Sequence, residues 1–80
     1  MTVTILLFAR YREVSGVPSV TVEVSPGSTL AQVWDRVRSV QPALAGEARP
    51  LLACNRAYAR PDFVLDGTEE VAAFPPVSGG

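Results

Sequence analysis

The sequence contains no lysine and no histidine, and its single cysteine is Cys54. Without histidine the chain lacks the most common general base and metal ligand, and without lysine it lacks a Schiff-base nucleophile. One cysteine cannot form an internal disulfide or a CxxC motif. The phosphate-binding patterns GxxxxGK[ST] and GxGxxG are also missing. These absences argue against a self-contained enzyme.

Charge and hydrophobic runs exclude further classes of partner. Seven arginines and eight acidic residues give a formal net charge of −1, which provides no basic face for a nucleic acid. The opening apolar run covers only residues 3–9, whereas a membrane span needs about 20 residues. No basic segment precedes this run and no small-residue cleavage site follows it, so we do not expect it to be a signal peptide. We therefore expect a cytoplasmic protein that binds neither nucleic acid nor membrane.

What is present is the composition of one small globular domain. The 80 residues are 48% hydrophobic and 19% charged, which is typical of a folded chain. There is no internal repeat and no linker long enough to separate domains. We expect one domain over residues 1–76 and a flexible C-terminal tail over residues 77–80.

Apolar spacing predicts the elements of this domain. Thr29 and Gln32 form a predicted capping box at the start of a helix that ends near Val40, before Pro42. The remaining predictions are strands at 2–9, 19–24, 51–55 and 70–74, connections at 10–18, 42–50 and 56–61, and a brief strand or turn at 63–65. A right-handed crossover would place the last strand beside the first, in parallel. The expected fold is α+β, a β-grasp (ubiquitin-like) mixed sheet packed on one main helix.

Side-chain alternation predicts a second apolar face on this sheet. Strand residues two apart share a face, and one helix can cover only one face. The apolar side chains on the uncovered face are Leu6, Phe8, Ala72 and Phe74. An exposed apolar patch on a small domain usually marks a partner surface. The alternative is that a loop, 42–50 or 56–63, folds over it.

The segment after the last predicted strand has a distinct composition. Pro75 and Pro76 cannot continue a sheet and keep the chain extended. The glycines in Val77-Ser78-Gly79-Gly80 have no Cβ, so they could thread a narrow channel and present a carboxylate to another protein. That carboxylate would need activation, for example as an acyl-adenylate, by a separate enzyme. The alternative is a frayed terminus with two chance glycines.

With these features the sequence resembles the small subunit of molybdopterin synthase, the MoaD-type ubiquitin-like sulfur carriers. The matching segments are LLFAR at 6–10, RE at 12–13, SPGST at 25–29, LACN at 52–55 and LDGTEEVAAFPPVSGG at 65–80. The last segment is the most specific, because the family ends in an Asp-Gly turn, an acidic pair, Val, an aromatic residue, Pro-Pro-Val and Gly-Gly. One departure is Ala73 before Phe74, where relatives can carry two aromatic residues, and this affects the expected docking surface.

The resemblance implies a non-catalytic carrier subunit of a sulfurtransferase in molybdenum cofactor biosynthesis. An E1-like adenylyltransferase would use ATP and Mg²⁺ to adenylate Gly80, and a persulfide donor would convert the product into a thiocarboxylate. The sulfur would pass to cyclic pyranopterin monophosphate in the large subunit of a heterotetramer, where the catalytic side chains are expected. This chain itself would bind no cofactor and no metal.

The resemblance also implies roles for individual residues. Gly80 would carry the sulfur, preceded in the threaded tail by Gly79. The residues implied for partner binding are Phe8, Arg12, Phe74, Pro75, Pro76, Val77 and Ser78. Two alternatives stay open: a related carrier (for thiamine, tRNA thiolation or cysteine synthesis) or protein-conjugating modifier, and a β-grasp interaction module whose tail does no chemistry.

Other candidate residues favour structural interpretations. Cys54 lies among apolar strand residues, which is typical of a buried structural cysteine. Trp34 lies on the apolar stripe of the helix, which is typical of a core residue. The arginines at 10, 12, 56 and 60 are expected on a solvated surface, and the acidic residues at 66, 69 and 70 are expected to form a turn rather than a metal site.

Overall fold

The computed structural model describes residues 1–76, which form a mixed five-stranded sheet, two α-helices and one 3₁₀ turn. The strands are β1 (Thr2–Leu7), β2 (Ser19–Glu23), β3 (Leu51–Cys54), β4 (Ala57–Ala59) and β5 (Val71–Phe74). The helices are α1 (Arg10–Ser15) and α2 (Leu30–Val40), and the 3₁₀ turn covers Pro42–Leu44. The strand order is β2-β1-β5-β3-β4, with β1 and β5 parallel and the other neighbours antiparallel. The predicted β-grasp fold is confirmed, and so is the predicted parallel pairing of the first strand of the chain with the last.

Helix α2 covers one face of the sheet. Its apolar stripe is fully buried and consists of Leu30, Val33, Trp34 and Val37. The predicted capping box is present, because the Thr29 hydroxyl accepts from the Gln32 amide at 3.3 Å and the Thr29 amide donates to Gln32 Oε1 at 2.8 Å. In the described part of the chain, neither α-helix is long and apolar enough to cross a membrane.

Helix α1 lies inside the stretch predicted only as a connection, residues 10–18. Six residues are too few for a stable isolated helix, so tertiary contacts must hold it. Tyr11 supplies them: it is buried, its ring meets Trp34 edge-on with centroids 5.3 Å apart, and its hydroxyl donates to the Ala48 carbonyl at 2.5 Å. Arg10 Nε also donates to Glu47 at 2.9 Å. The helix is therefore tied to the segment that follows the 3₁₀ turn.

The predicted connection over 56–61 contains strand β4, so that prediction was wrong. Strand β4 has three residues and pairs antiparallel with β3 through a two-residue turn, Asn55-Arg56. Three residues are too short a window for alternation to be recognised. At 63–65 only Val64 makes a bridge, to Thr29. The remaining predicted strands begin or end within one or two residues of the observed bounds.

Candidate functional site: an apolar groove on the open face of the sheet

One row of side chains crosses four strands on the face opposite α2. Leu6 pairs with Ala72, Ala72 with Ala53, and Ala53 with Tyr58. Residues paired in register on neighbouring strands point to the same face of the sheet. The two alanines in the middle are small, whereas Leu6 and Tyr58 at the ends are large. The centre of the row is therefore lower than its ends, and it forms the floor of a groove.

Aromatic side chains form one end of this groove. The rings of Phe8 and Phe74 stack with centroids 4.6 Å apart and planes 8° from parallel. Tyr58 meets Phe74 edge-on, with centroids 6.1 Å apart. Such aromatic pairs add about 0.5–1.5 kcal/mol beyond the area they bury. Phe8 is still 38% exposed and Tyr58 is 72% exposed, so both present apolar surface to a partner.

The other end of the groove is polar. Arg56 and Glu70 line it beside the apolar floor, and the whole depression has a volume of about 340 Å³. The turn that carries Arg56 is fixed to the start of β5 by Asn55. The Asn55 amide donates to the Glu70 carbonyl at 2.8 Å, and Asn55 Oδ1 accepts from the Glu70 amide at 3.0 Å. The groove can therefore hold an apolar group of a partner with a polar group beside it.

The two segments that could have covered this face leave the groove open, although Arg56 and Tyr58 of the second segment contribute to its lining. Within 42–50, Leu44 is completely buried in the core on the helix side of the sheet, and the 3₁₀ turn packs against both α-helices. Within 56–63, strand β4 extends the sheet at its edge. Of the four apolar side chains predicted on this face, Phe8 is exposed, Leu6 and Phe74 are half-buried and Ala72 is buried. The predicted exposure of the face is therefore confirmed only in part.

The site residues predicted from the sequence fall into three groups. Phe8 and Phe74 meet in the groove. Pro75 is half-buried and Pro76 is exposed, and both follow β5 directly. Arg12 is exposed on α1. Among the described residues that line the groove, none of these three is present. The predicted residues Val77, Ser78, Gly79 and Gly80 lie outside the described residues.

Four groove residues were missed by the sequence reasoning: Ala53, Arg56, Tyr58 and Glu70. Ala53 lies in β3, Arg56 in the β3–β4 turn and Tyr58 in β4, and β4 was not predicted. A two-residue connection between paired strands is normally signalled by Asn-Gly or Asp-Gly. Here the turn is Asn-Arg, which removes that signal. The alternation of Arg56 and Tyr58 could be recognised only after β4 was known.

The cysteine and the acidic turn residues are used structurally. Cys54 is buried in the core, and burial, with a smaller effect of the Glu69 charge, raises the pKa of its thiol. The Asp66 carboxylate accepts from the amide and hydroxyl of Thr68 at 2.9 and 2.5 Å, and these hydrogen bonds lower its pKa. Glu69 accepts from the amides of Asp66 and Gly67. Both carboxylates therefore stabilise the turn before β5.

A protein-family model described as the ThiS family matches residues 5–80. The chain belongs to the ThiS family. Several relatives bear the name molybdopterin synthase sulfur carrier subunit. The relative from Arabidopsis thaliana is 38% identical, with 98% of this chain and 82% of the relative covered. The relative from Chlamydomonas reinhardtii is 36% identical, with both chains covered in full.

Solved structures agree with this ThiS-family assignment. SAMP1, the small archaeal modifier protein 1 of Haloferax volcanii, superposes with a TM-score of 0.87 at 28% identity, and each chain is covered in full. A TM-score this high means the same topology over the whole domain. The predicted resemblance and the predicted ubiquitin-like fold are both confirmed.

Proposed function

We propose that this chain is the sulfur carrier subunit of a molybdopterin synthase. The names and near-full-length similarity of its relatives support this function. The structural observation that carries the proposal is the continuity between the groove and the C-terminal segment. Phe74, which forms one wall of the groove, is followed immediately by Pro75 and Pro76. A large subunit that fills the groove therefore holds the point from which the Gly-Gly segment starts.

The chemistry takes place at the Gly80 carboxylate. An E1-like enzyme uses ATP and Mg²⁺ to form the acyl-adenylate, releasing pyrophosphate. A persulfide sulfur attacks the acyl carbon and AMP leaves, and cleavage of the S–S bond by a thiol yields the thiocarboxylate. The large subunit then transfers this sulfur to cyclic pyranopterin monophosphate. Each step needs a group that this chain lacks, which is why the carrier acts with an activating enzyme, a sulfur donor and the large subunit.

The side chains of this protein contribute recognition rather than catalysis. The chain has no lysine or histidine, and its thiol is buried with a raised pKa. A protonated, inaccessible thiol is a poor nucleophile. The groove instead offers exposed aromatic surface around a low floor, which is the kind of surface that anchors protein interfaces.

The first test is the intact mass of the protein after incubation with an E1-like enzyme, ATP and a persulfide donor. We expect replacement of one oxygen by one sulfur, localised to Gly80. A variant that lacks Gly79 and Gly80 should keep its fold and still dock on the large subunit through the groove, but it should accept no sulfur. An unchanged wild-type mass, with an enzyme and donor that load a control carrier, would contradict the proposal.

The second test addresses the groove. Tyr58→Ala should weaken binding of the large subunit about tenfold or more, as expected for an interface aromatic residue. Because Tyr58 is 72% exposed, the loss of stability should be limited to about 0.5–1.5 kcal/mol for its edge-on contact with Phe74, and the variant should remain folded. Phe63→Ala is the matched control, since Phe63 is an aromatic residue with 42% exposure that lies outside the groove lining. Equal loss of affinity in both variants would argue against docking through the groove.

The similarity to SAMP1 favours a second candidate, a protein modifier. In this case an amine of another protein, rather than a persulfide, would attack the activated Gly80. Because the sequence has no lysine, its side chains offer no amine for linking one copy to another. The mass experiment separates the candidates: a modifier forms adducts with lysine-containing proteins in the absence of the sulfur donor, whereas a dedicated carrier does not.

A further inference from the structure

We propose that Arg56 determines partner specificity by pairing with a carboxylate of the large subunit when that subunit fills the groove. This inference depends on the proposed function and adds a residue and a ligand chemistry to it. It is based on three features of Arg56: its backbone conformation, its fixed position at the polar end of the groove, and a guanidinium that forms no ion pair within residues 1–76.

The backbone conformation of Arg56 is unfavourable for its side chain. Strands β3 and β4 are joined by only two residues, and both have positive φ, 52° at Asn55 and 70° at Arg56. Such two-residue turns normally have Asn-Gly, because glycine adopts positive φ without a steric penalty. Arginine at the second position is strained. Strained backbone of this kind is found most often at binding and active sites.

The turn holds Arg56 in a defined place. Asn55 fixes it to the start of β5 through two hydrogen bonds with Glu70, at 2.8 and 3.0 Å. The side chain of Arg56 therefore lines the end of the groove opposite the Phe8–Phe74 stack. A charged group placed there by a partner would be partly removed from water once the groove is filled. The Coulombic attraction between two charges is stronger in such a position than on an open surface, and loss of one partner leaves the other charge unpaired and desolvated.

The guanidinium is available for this contact. The ion pairs within residues 1–76 engage four other arginines: Arg10, Arg38, Arg49 and Arg60. Arg56 takes part in none of these pairs, although Glu70 lines the same end of the groove. A planar guanidinium donates two parallel hydrogen bonds to a carboxylate. Glu70 repels any partner carboxylate that lies close to it, whereas Arg56 attracts one. The two side chains together therefore favour a partner carboxylate beside Arg56 and disfavour one beside Glu70.

The decisive variant is Arg56→Gly, because it has opposite effects on folding and binding. It creates an Asn-Gly turn, so the Tm should rise. It removes the guanidinium, so the dissociation constant for the purified large subunit should increase about tenfold. Arg56→Asn is the second variant, since asparagine tolerates positive φ and has no charge. Arg60→Ala is the control, because Arg60 is exposed and pairs only with the nearby Asp62 among the residues described; its affinity should match wild type.

The partner's charge is tested by salt and by charge exchange. Wild-type affinity should fall more steeply with salt than that of Arg56→Gly. Arg56→Glu should bind more weakly than Arg56→Gly, and reversing one acidic residue of the large subunit should restore it. Wild-type affinity in both Arg56→Gly and Arg56→Asn would overturn the inference and leave groove docking intact. Failure of the wild-type protein itself to bind would instead overturn the proposed function.

Discussion

Asn55 shows how one residue at the end of a strand can position part of a site. It adopts positive φ, 52°, which asparagine tolerates better than most residues, and its carboxamide oxygen accepts from the Glu70 amide at 3.0 Å. Asn55 belongs to the LACN segment at 52–55 that carries part of the resemblance, and in this chain it links the β3–β4 turn to β5. Without Asn55 the β3–β4 turn would lose its link to β5.

Asn55→Ala should therefore destabilise the fold. It removes the acceptor of one hydrogen bond and places alanine at positive φ, which together cost about 1–3 kcal/mol. Urea unfolding measures the change in the free energy of unfolding. Asn55→Asp is the control, because it keeps an acceptor oxygen at the same position. If alanine and aspartate were equally stable, the hydrogen bond to Glu70 would contribute nothing.

Cys54 carries the only thiol of the sequence, and its replacement tests whether that thiol takes part in sulfur loading at Gly80. The thiol is buried, and burial raises its pKa, so it is protonated at neutral pH. Cys54→Ala should load sulfur at Gly80 as wild type does, while unfolding about 1 kcal/mol more easily because a group the size of a methylene leaves the core. Intact mass measures the loading. A folded Cys54→Ala protein that accepted no sulfur would assign the thiol a chemical role.

At the scale of elements, α2 is specified by its own sequence. Its capping box, its apolar stripe and the proline that follows all lie within about fourteen residues, and the structure contains each of them. The short elements α1 and β4 are different, because they depend on contacts with distant segments. Tyr11 of α1 needs Trp34 and Ala48, and β4 exists only as a partner of β3.

Thr29→Ala tests the local specification of α2. The hydroxyl of Thr29 satisfies the Gln32 amide at 3.3 Å, and loss of such a cap lowers stability by about 1 kcal/mol. Thermal or urea unfolding measures the effect. Thr29→Ser keeps a hydroxyl acceptor and should stay close to wild type, so a serine variant as unstable as the alanine variant would show that the methyl group rather than the cap matters.

At the scale of the whole molecule, two carboxylates connect stability to pH. Hydrogen bonding from Arg10 lowers the pKa of Glu47, and hydrogen bonding from Thr68 lowers the pKa of Asp66. The unfolded chain therefore binds protons at a higher pH than the folded chain does. These groups stabilise the fold above the ordinary carboxyl pKa, and this contribution is lost as the pH falls through their lowered values.

We expect the free energy of unfolding to fall as the pH drops below about 4. Glu47→Gln and Asp66→Asn should each reduce the slope of this fall, because neither amide titrates. Urea unfolding at a series of pH values measures the slope. Glu70→Gln is the control. Glu70 is exposed, and its carboxylate forms no ion pair within residues 1–76. Identical slopes in all three variants and in wild type would contradict the assignment.

The sequence by itself determined the capped helix and which apolar side chains share the second face, because each follows from spacing within one segment. The parallel pairing of the first and last strands followed from the handedness of the crossover between strands rather than from spacing. Alternation placed Leu6 and Phe8 on one face of β1, and the same parity placed Ala72 and Phe74 on β5. Only the tertiary structure decided that Tyr58 and Arg56 complete the groove. They reach it because β3 pairs with both β5 and β4, and pairing between segments far apart in sequence leaves no periodic signal within any one of them.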